Sequence, residues 1–221
     1  MSLHTVVLYG CAAAVVVPGT RLVMDQVEGR RSGPGGLLAA LWRRPVPRAA
    51  AVLVGVMAAM AVVQTAVPGV MPHLERDPHG PWWRVVTALL VQTSGRGQLA
   101  LNLAALAVVA PAAERRLGAV WMPVVLVLSG VVAHGVSTAG WSVHGGGDSV
   151  GICGLVGALA ASCALTGRRR PLRLVSLLVP AAGVVLCVAE NNHGAGVVTG
   201  AVLGAALALV PEARSGRTVA A

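Results

Sequence analysis

Six stretches of the chain, at 48–67, 98–114, 118–137, 149–167, 171–189 and 193–211, are almost free of charge. Each is 17–20 residues long, enough to cross the apolar part of a bilayer at about 1.5 Å per residue. Hydrophobic residues make up 56% of the 221 and charged residues 11%, and mean hydropathy is +0.76. A soluble core in so short a chain has no means of hiding that much apolar surface. Inside lipid every backbone N–H and C=O must be satisfied within the protein, which leaves helices or closed barrels. The stretches are too long and too continuously apolar for barrel strands. The fold class is therefore all-α, a polytopic transmembrane helical bundle. A seventh stretch, 4–24, is interrupted by Pro18 and Arg21. It reads either as a tilted span or as a segment lying at the interface.

The formal net charge is +9, and every one of the 17 basic residues is arginine. A nucleic-acid binder is one reading of such a charge. The arginines sit between the spans, however, and this patterning excludes nucleic acid as the expected partner. Arg30, Arg31, Arg43, Arg44 and Arg48 precede the 48–67 stretch; Arg115 and Arg116 follow the next one. Arg168, Arg169, Arg170 and Arg173 lie between the 149 and 171 stretches, and Arg214 and Arg217 close the chain. These connections alternate, so they share one side, the cytoplasm by the positive-inside rule. The 68–97, 138–148 and 190–192 connections then face outward. The 68–97 connection carries Trp82 and Trp83 and an amphiphilic second half. That pattern predicts a partly helical piece near the outer leaflet.

Three features of the outer side bear on chemistry. Ser149 stands at the outer end of its stretch, directly after Gly145, Gly146, Gly147 and Asp148. It reads as a helix N-cap or as a nucleophile. His193 begins the last stretch, at the same expected depth. Ionisable residues in apolar spans are expensive and tend to mark function. Serine with histidine is the minimum set for activated-hydroxyl chemistry. Gly154 and Gly157 in the serine stretch, and Gly196, Gly200 and Gly204 in the histidine stretch, would let two helices approach closely enough for the pair to meet. Gln98 and Asn102, four apart, share one helical face. They read either as donors aimed at a developing oxyanion or as polar links between helices.

Taken together and in order, these residues resemble the rhomboid family of intramembrane serine proteases. Trp83-Arg84 with Thr87 is similar to the family's WR-x-x-T stretch. Asn102, and then Glu114-Arg115-Arg116-Leu117-Gly118, match the second core helix. Gly147-Asp148-Ser149 matches the GxS nucleophile motif, and His193 with Gly196 and Gly200 matches HxxGxxxG. The resemblance spans residues 45–211. It implies a six-helix core plus an extra N-terminal helix, with a 1–44 segment before it and a cytoplasmic tail over 212–221. It implies a Ser149–His193 dyad that cleaves transmembrane protein substrates near the outer face, with Asn102, Gln98 and the Ser149 backbone N–H at the oxyanion hole. The bilayer is the expected partner surface and a bacterial plasma membrane the expected location. No metal or organic cofactor is implied.

Two residues depart from the family pattern. Gln98 stands where the family often has histidine, which weakens the expected oxyanion stabilisation. Val150 stands where glycine is frequent, and its bulk is expected to narrow the site. These departures keep a second reading open, a non-catalytic relative that binds client helices. A small transporter is a third, but no two-fold repeat or acidic mid-span ligand supports it. Asp148 is expected to cap or to be solvated, and Asn191 or Asn192 either to orient the His193 imidazole or, the preferred reading, to be a solvated loop residue. Cys11, Cys153, Cys163 and Cys187 lie inside apolar stretches with no metal spacing, and neither do His73, His79, His134 or His144 suggest a metal site.

Overall fold

The structure, a computed structural model, describes residues 3–27, 33–67 and 69–210. Arg30, Arg31, Arg214 and Arg217 and the 212–221 tail lie outside the described residues. Eleven α-helices are present among those described. They are α1 (Leu3–Asp25), α2 (Gly33–Leu41), α3 (Arg48–Ala66), α4 (Val70–Leu74), α5 (Arg84–Thr87), α6 (Gly95–Leu117), α7 (Trp121–Val136), α8 (Ser149–Thr166), α9 (Arg170–Ser176), α10 (Leu178–Val188) and α11 (Asn192–Leu209). Seven spans are long and apolar enough to cross a membrane, α9 and α10 together forming one. The chain is an all-α, multi-pass membrane protein.

The 4–24 stretch is one continuous helix in spite of Pro18. The proline removes one hydrogen-bond donor, but α1 is long and its apolar face is packed, so the other turns hold it. Cys11, Val15, Pro18, Gly19, Leu22 and Val23 recur at helical spacing and are buried, while Tyr9, Val16 and Val17 face outward. The 171–189 stretch is divided instead. Pro180 has no N–H for the carbonyl four residues back, and the helix breaks at Leu177.

α8 is the axis of the bundle: 72% of its span is buried, against 17–44% for the other six. It packs on α11 most extensively, and also on α6, α7, α9, α10 and α1. The α8–α11 contact is set by glycines. A Cβ on Gly196, Gly200 or Gly204 would run into the backbone carbonyl of Val150, Gly154 or Ala158, and one on Gly157 into that of Val197. Lipid gives no hydrophobic drive for helix pairing, so close backbone packing is what joins the two. Gly154 has a different first neighbour, Ser129 of α7.

The polar residues divide between the two ends. At one end Arg115 donates to the carbonyls of Leu41, Arg43 and Pro45, Arg116 to Ser162 and Thr166, and Arg173 to Ala164. Glu114 accepts from the backbone N–H of Ala50 at 2.7 Å. The ERR run thus gathers three helix ends. At the other end lie Ser149, His193 and the connection between α3 and α6. That connection folds as α4, α5 and a 3-10 turn over Ala88–Leu90, with Trp82 largely exposed.

Candidate active site

The loop before Ser149 is held from outside the bundle. Arg76 and Gly145 form an antiparallel bridge, the Arg76 N–H donating to the Gly145 carbonyl at 3.0 Å. Gly145 has φ +117°, a conformation side chains rarely adopt. The Gly146 N–H donates to Thr93 Oγ1 at 3.0 Å, and the Gly147 N–H to the Ala88 carbonyl at 2.9 Å. A Cβ on Gly146 would lie 2.8 Å from that same carbonyl, so a side chain there would push the loop off its support.

A second strut rises through Arg76 and His134. Arg76 Nη1 lies 2.6 Å from His134 Nδ1, and His134 Nε2 lies 3.1 Å from the Gly147 carbonyl. The guanidinium only donates, so Nδ1 accepts and the Nε2–H donates to Gly147. Arg76 also donates to the Ser142 and His144 carbonyls at 2.9 and 3.0 Å. The Trp83-Arg84-x-x-Thr87 run braces the same connection: Arg84 pairs with Asp77 at 3.2 Å, and Thr87 Oγ1 donates to the Leu74 carbonyl at 2.9 Å.

Ser149 is the first residue of α8 and His193 the second of α11. The two side chains meet, Ser149 Oγ lying 3.1 Å from His193 Nε2. Asn191 is the N-cap of α11. Its Oδ1 accepts from the His193 backbone N–H at 3.0 Å and also lies 3.0 Å from His193 Nδ1. A backbone N–H can only donate, so the atom it meets is the amide oxygen, and that oxygen accepts the Nδ1–H as well. The neutral ring then carries its proton on Nδ1 and presents a lone pair at Nε2 to the serine. Asn191 is therefore no solvated loop residue: it starts the helix and aims the imidazole.

A chain of amides runs beside the serine. Gln98 Nε2 donates to Asn102 Oδ1 at 3.0 Å, and Asn102 Nδ2 donates to Gln92 Oε1 at 2.7 Å. Gln92 Nε2 donates in turn to Asp148 Oδ1, and the Gln92 backbone N–H is held by Gln64 at 2.9 Å. Asn102 and Ser149 line one apolar cavity of about 370 Å³. Gln98 does not line it; it reaches the site through Asn102. The expectation for Asp148 is corrected. It is 1% exposed and makes no side-chain cap bond. Burial pushes its carboxyl up to about 6, against the pull of the hydrogen bond from Gln92. Among the described residues Oδ2 has no hydrogen-bond partner. The expectation for Val150 is corrected as well. Its side chain packs with Leu89, Ala133 and Ala195, away from the cavity. Cys153 does line the cavity, a turn below Ser149.

Gln92, Arg76 and His134 belong to the site and were missed as site residues in the sequence; for Asn191 the structure selects the orienting role over the solvated one. His134 carried a usable signal, an ionisable group inside an apolar stretch, the same signal that singled out His193. Gln92 and Arg76 sit in an irregular connection, where no periodicity gives a side chain's direction.

The Rhomboid domain model matches residues 79–212, more than half of the chain. No curated protein matches the chain. The matched region contains every residue described around Ser149 except Arg76, Asp77, Leu74 and Gln64.

Proposed function

The chain belongs to the rhomboid family, and from that premise we propose that it is an intramembrane serine endopeptidase that cleaves transmembrane protein substrates. The observation that carries this reading is the 3.1 Å contact between Ser149 Oγ and a His193 ring whose Nδ1 side is occupied by Asn191. A serine with a capping role alone has no use for an imidazole oriented in this way.

The steps follow from the residues. Ser149 Oγ attacks the scissile carbonyl carbon while His193 Nε2 takes the hydroxyl proton. The carbonyl oxygen becomes an oxyanion. The backbone N–H groups of the first turn of α8 have no partner within the helix, and they lie at its positive end. With the Asn102 amide, which lines the same cavity, they stabilise that charge. Gln98 and Gln92 hold the Asn102 amide in plane, the part left to Gln98 now that it stands off the cavity. The intermediate collapses, the C–N bond breaks, and the imidazolium returns its proton to the leaving amine. Water then attacks the acyl-serine with His193 again as base, releasing the carboxylate product and restoring Ser149 Oγ–H. Asp148 takes no part as a third member, because His193 Nδ1 is engaged by Asn191 rather than by a carboxylate.

The test is labelling of purified protein with a fluorophosphonate probe. Wild type should label, and Ser149→Ala and His193→Ala should not, with all three eluting as folded protein in detergent. Absence of labelling in a folded wild type would overturn the proposal in favour of a client-binding relative without activity.

A further inference from the structure

The cavity that holds Ser149 has one wall of a different kind. Asn102, Ser149, Cys153 and Val156 on α6 and α8 form one side, and Val15 and Gly19 of α1 form the other. Around α8 the remaining directions are taken by α7, α11 and α10, all in direct contact with it. α6 and α10 make at most a marginal contact with each other, while α1 touches both. So α1 stands in the gap between α6 and α10 and, together with Leu37 of α2, walls the Ser149 cavity on the side opposite α8. Its outward face, with Tyr9 and Val17, is exposed.

α1 is also placed at the right height and in the right direction. Its Asp25 pairs with Arg169 at 3.3 Å, at the arginine-rich end, so its N-terminal half rises toward the Ser149 end. Gly19 lies against Val156, seven residues below Ser149. α1 and α8 run the same way, so at about 1.5 Å per residue the run Cys11-Ala12-Ala13-Ala14 is level with the nucleophile. The ion pair at the far end is the only one that α1 makes among the described residues. Between its middle and α8 the 370 Å³ cavity remains unfilled by side chains. α1 is thus ion-paired at one end and packed through Cys11, Val15 and Leu22 along its apolar face, while the cavity separates it from α8 at the site.

We propose that α1 occupies the berth of a client transmembrane helix, so that α1 must leave the α6–α10 gap before a client reaches Ser149. The client's identity as a single membrane-spanning helix rests on the protease reading above; the occupancy and displacement of α1 do not depend on hydrolysis.

The geometry offers a lock. A Cβ at position 19 would stand 3.9 Å from Val156 Cβ, within the range of a disulfide. The protein to use is the full chain with Gly19→Cys and Val156→Cys, the four native cysteines replaced by alanine, and Ser149→Ala. In liposomes it is mixed with a Leu/Ala single-span peptide carrying photo-leucine. The reduced protein should form crosslinks mapping to α6 and α8. Oxidation should abolish them, and reducing agent should restore them. Equal crosslinking in the oxidised form, or none in either form, would overturn the proposal. A second measurement avoids the packed positions. Spin labels at Val17→Cys and Val202→Cys, 58% and 63% exposed in the native chain, should move apart when the peptide is added. An unchanged distance counts against displacement. Because the crosslinking runs without Ser149, failure of the hydrolytic reading shows separately, as absent fluorophosphonate labelling of the wild type.

Discussion

The two faces of α8 contrast in how they are packed. Toward α11, glycines sit directly on backbone carbonyls and no side chain fits between the helices. Toward α1, Gly19 meets only the tip of the Val156 side chain and a cavity of about 370 Å³ is left beside it. The first face brings Ser149 and His193 to 3.1 Å; the second holds Asn102 and the space in front of the serine. A catalytic pair needs fixed geometry, and a berth needs room and an exchangeable wall. On the protease reading and the berth proposed above, one helix serves both because its two sides are built to different tolerances.

The contrast can be broken most severely at Gly200. A Cβ there would enter the Gly154 backbone, which cannot give way as a side chain can. Gly200→Val is expected to cost about 3 kcal/mol or more, read as loss of monodisperse protein in detergent. Gly19→Ala on the opposite face should leave a folded protein, because Val156 can turn aside.

On the cavity face, Asn102→Ala should lower kcat by about 10²–10³-fold, the usual cost of one oxyanion donor. Fluorophosphonate labelling and cleavage of a model membrane-spanning substrate would measure it, with circular dichroism as the control for folding. On the tight face, Asn191→Ala should lower kcat by up to about 100-fold through a misaimed imidazole. Asn191→Asp should recover part of that loss, since a carboxylate still accepts from both N–H groups. An Asn191→Ala protein with unchanged kcat would mean that close packing alone orients His193.

The smallest effect belongs to Asp148, at the junction of the two faces. Its carboxyl is raised from 3.8 to about 6 by burial, so the folded state holds the proton more tightly than the unfolded chain does. Its contribution to stability is full below about 3.8 and is lost as pH rises through about 6. Asp148→Asn should therefore flatten the dependence of the melting temperature on pH across that window, measured in detergent. A slope unchanged by the substitution would assign it to another group.

The spans were legible because length and apolar continuity are one-dimensional properties that lipid enforces. The predicted 48–67 and 149–167 stretches became Arg48–Ala66 and Ser149–Thr166. The turn at Leu177 was marked by Pro180 but not read from it, and Pro18 carried the same mark without the same result. A proline's effect depends on what packs against the freed turn, which a linear pattern does not contain.

The site divides in the same way. Ser149, His193 and the glycines between their helices could be found because period and depth follow from helix geometry. The residues that aim them could not: Gln92 reaches Asp148 across 56 positions, and Arg76 reaches His134 across 58. Such bonds are fixed by the path of an irregular connection over the end of the bundle. The sequence by itself determined the membrane fold, the placing of the serine and histidine at helix starts on one end of the bundle, and the family. Only the tertiary structure decided that Asn191 sets the histidine tautomer, that Gln98 acts through Asn102, and that α1 stands in front of the serine, because each depends on which helix fills the space beside another.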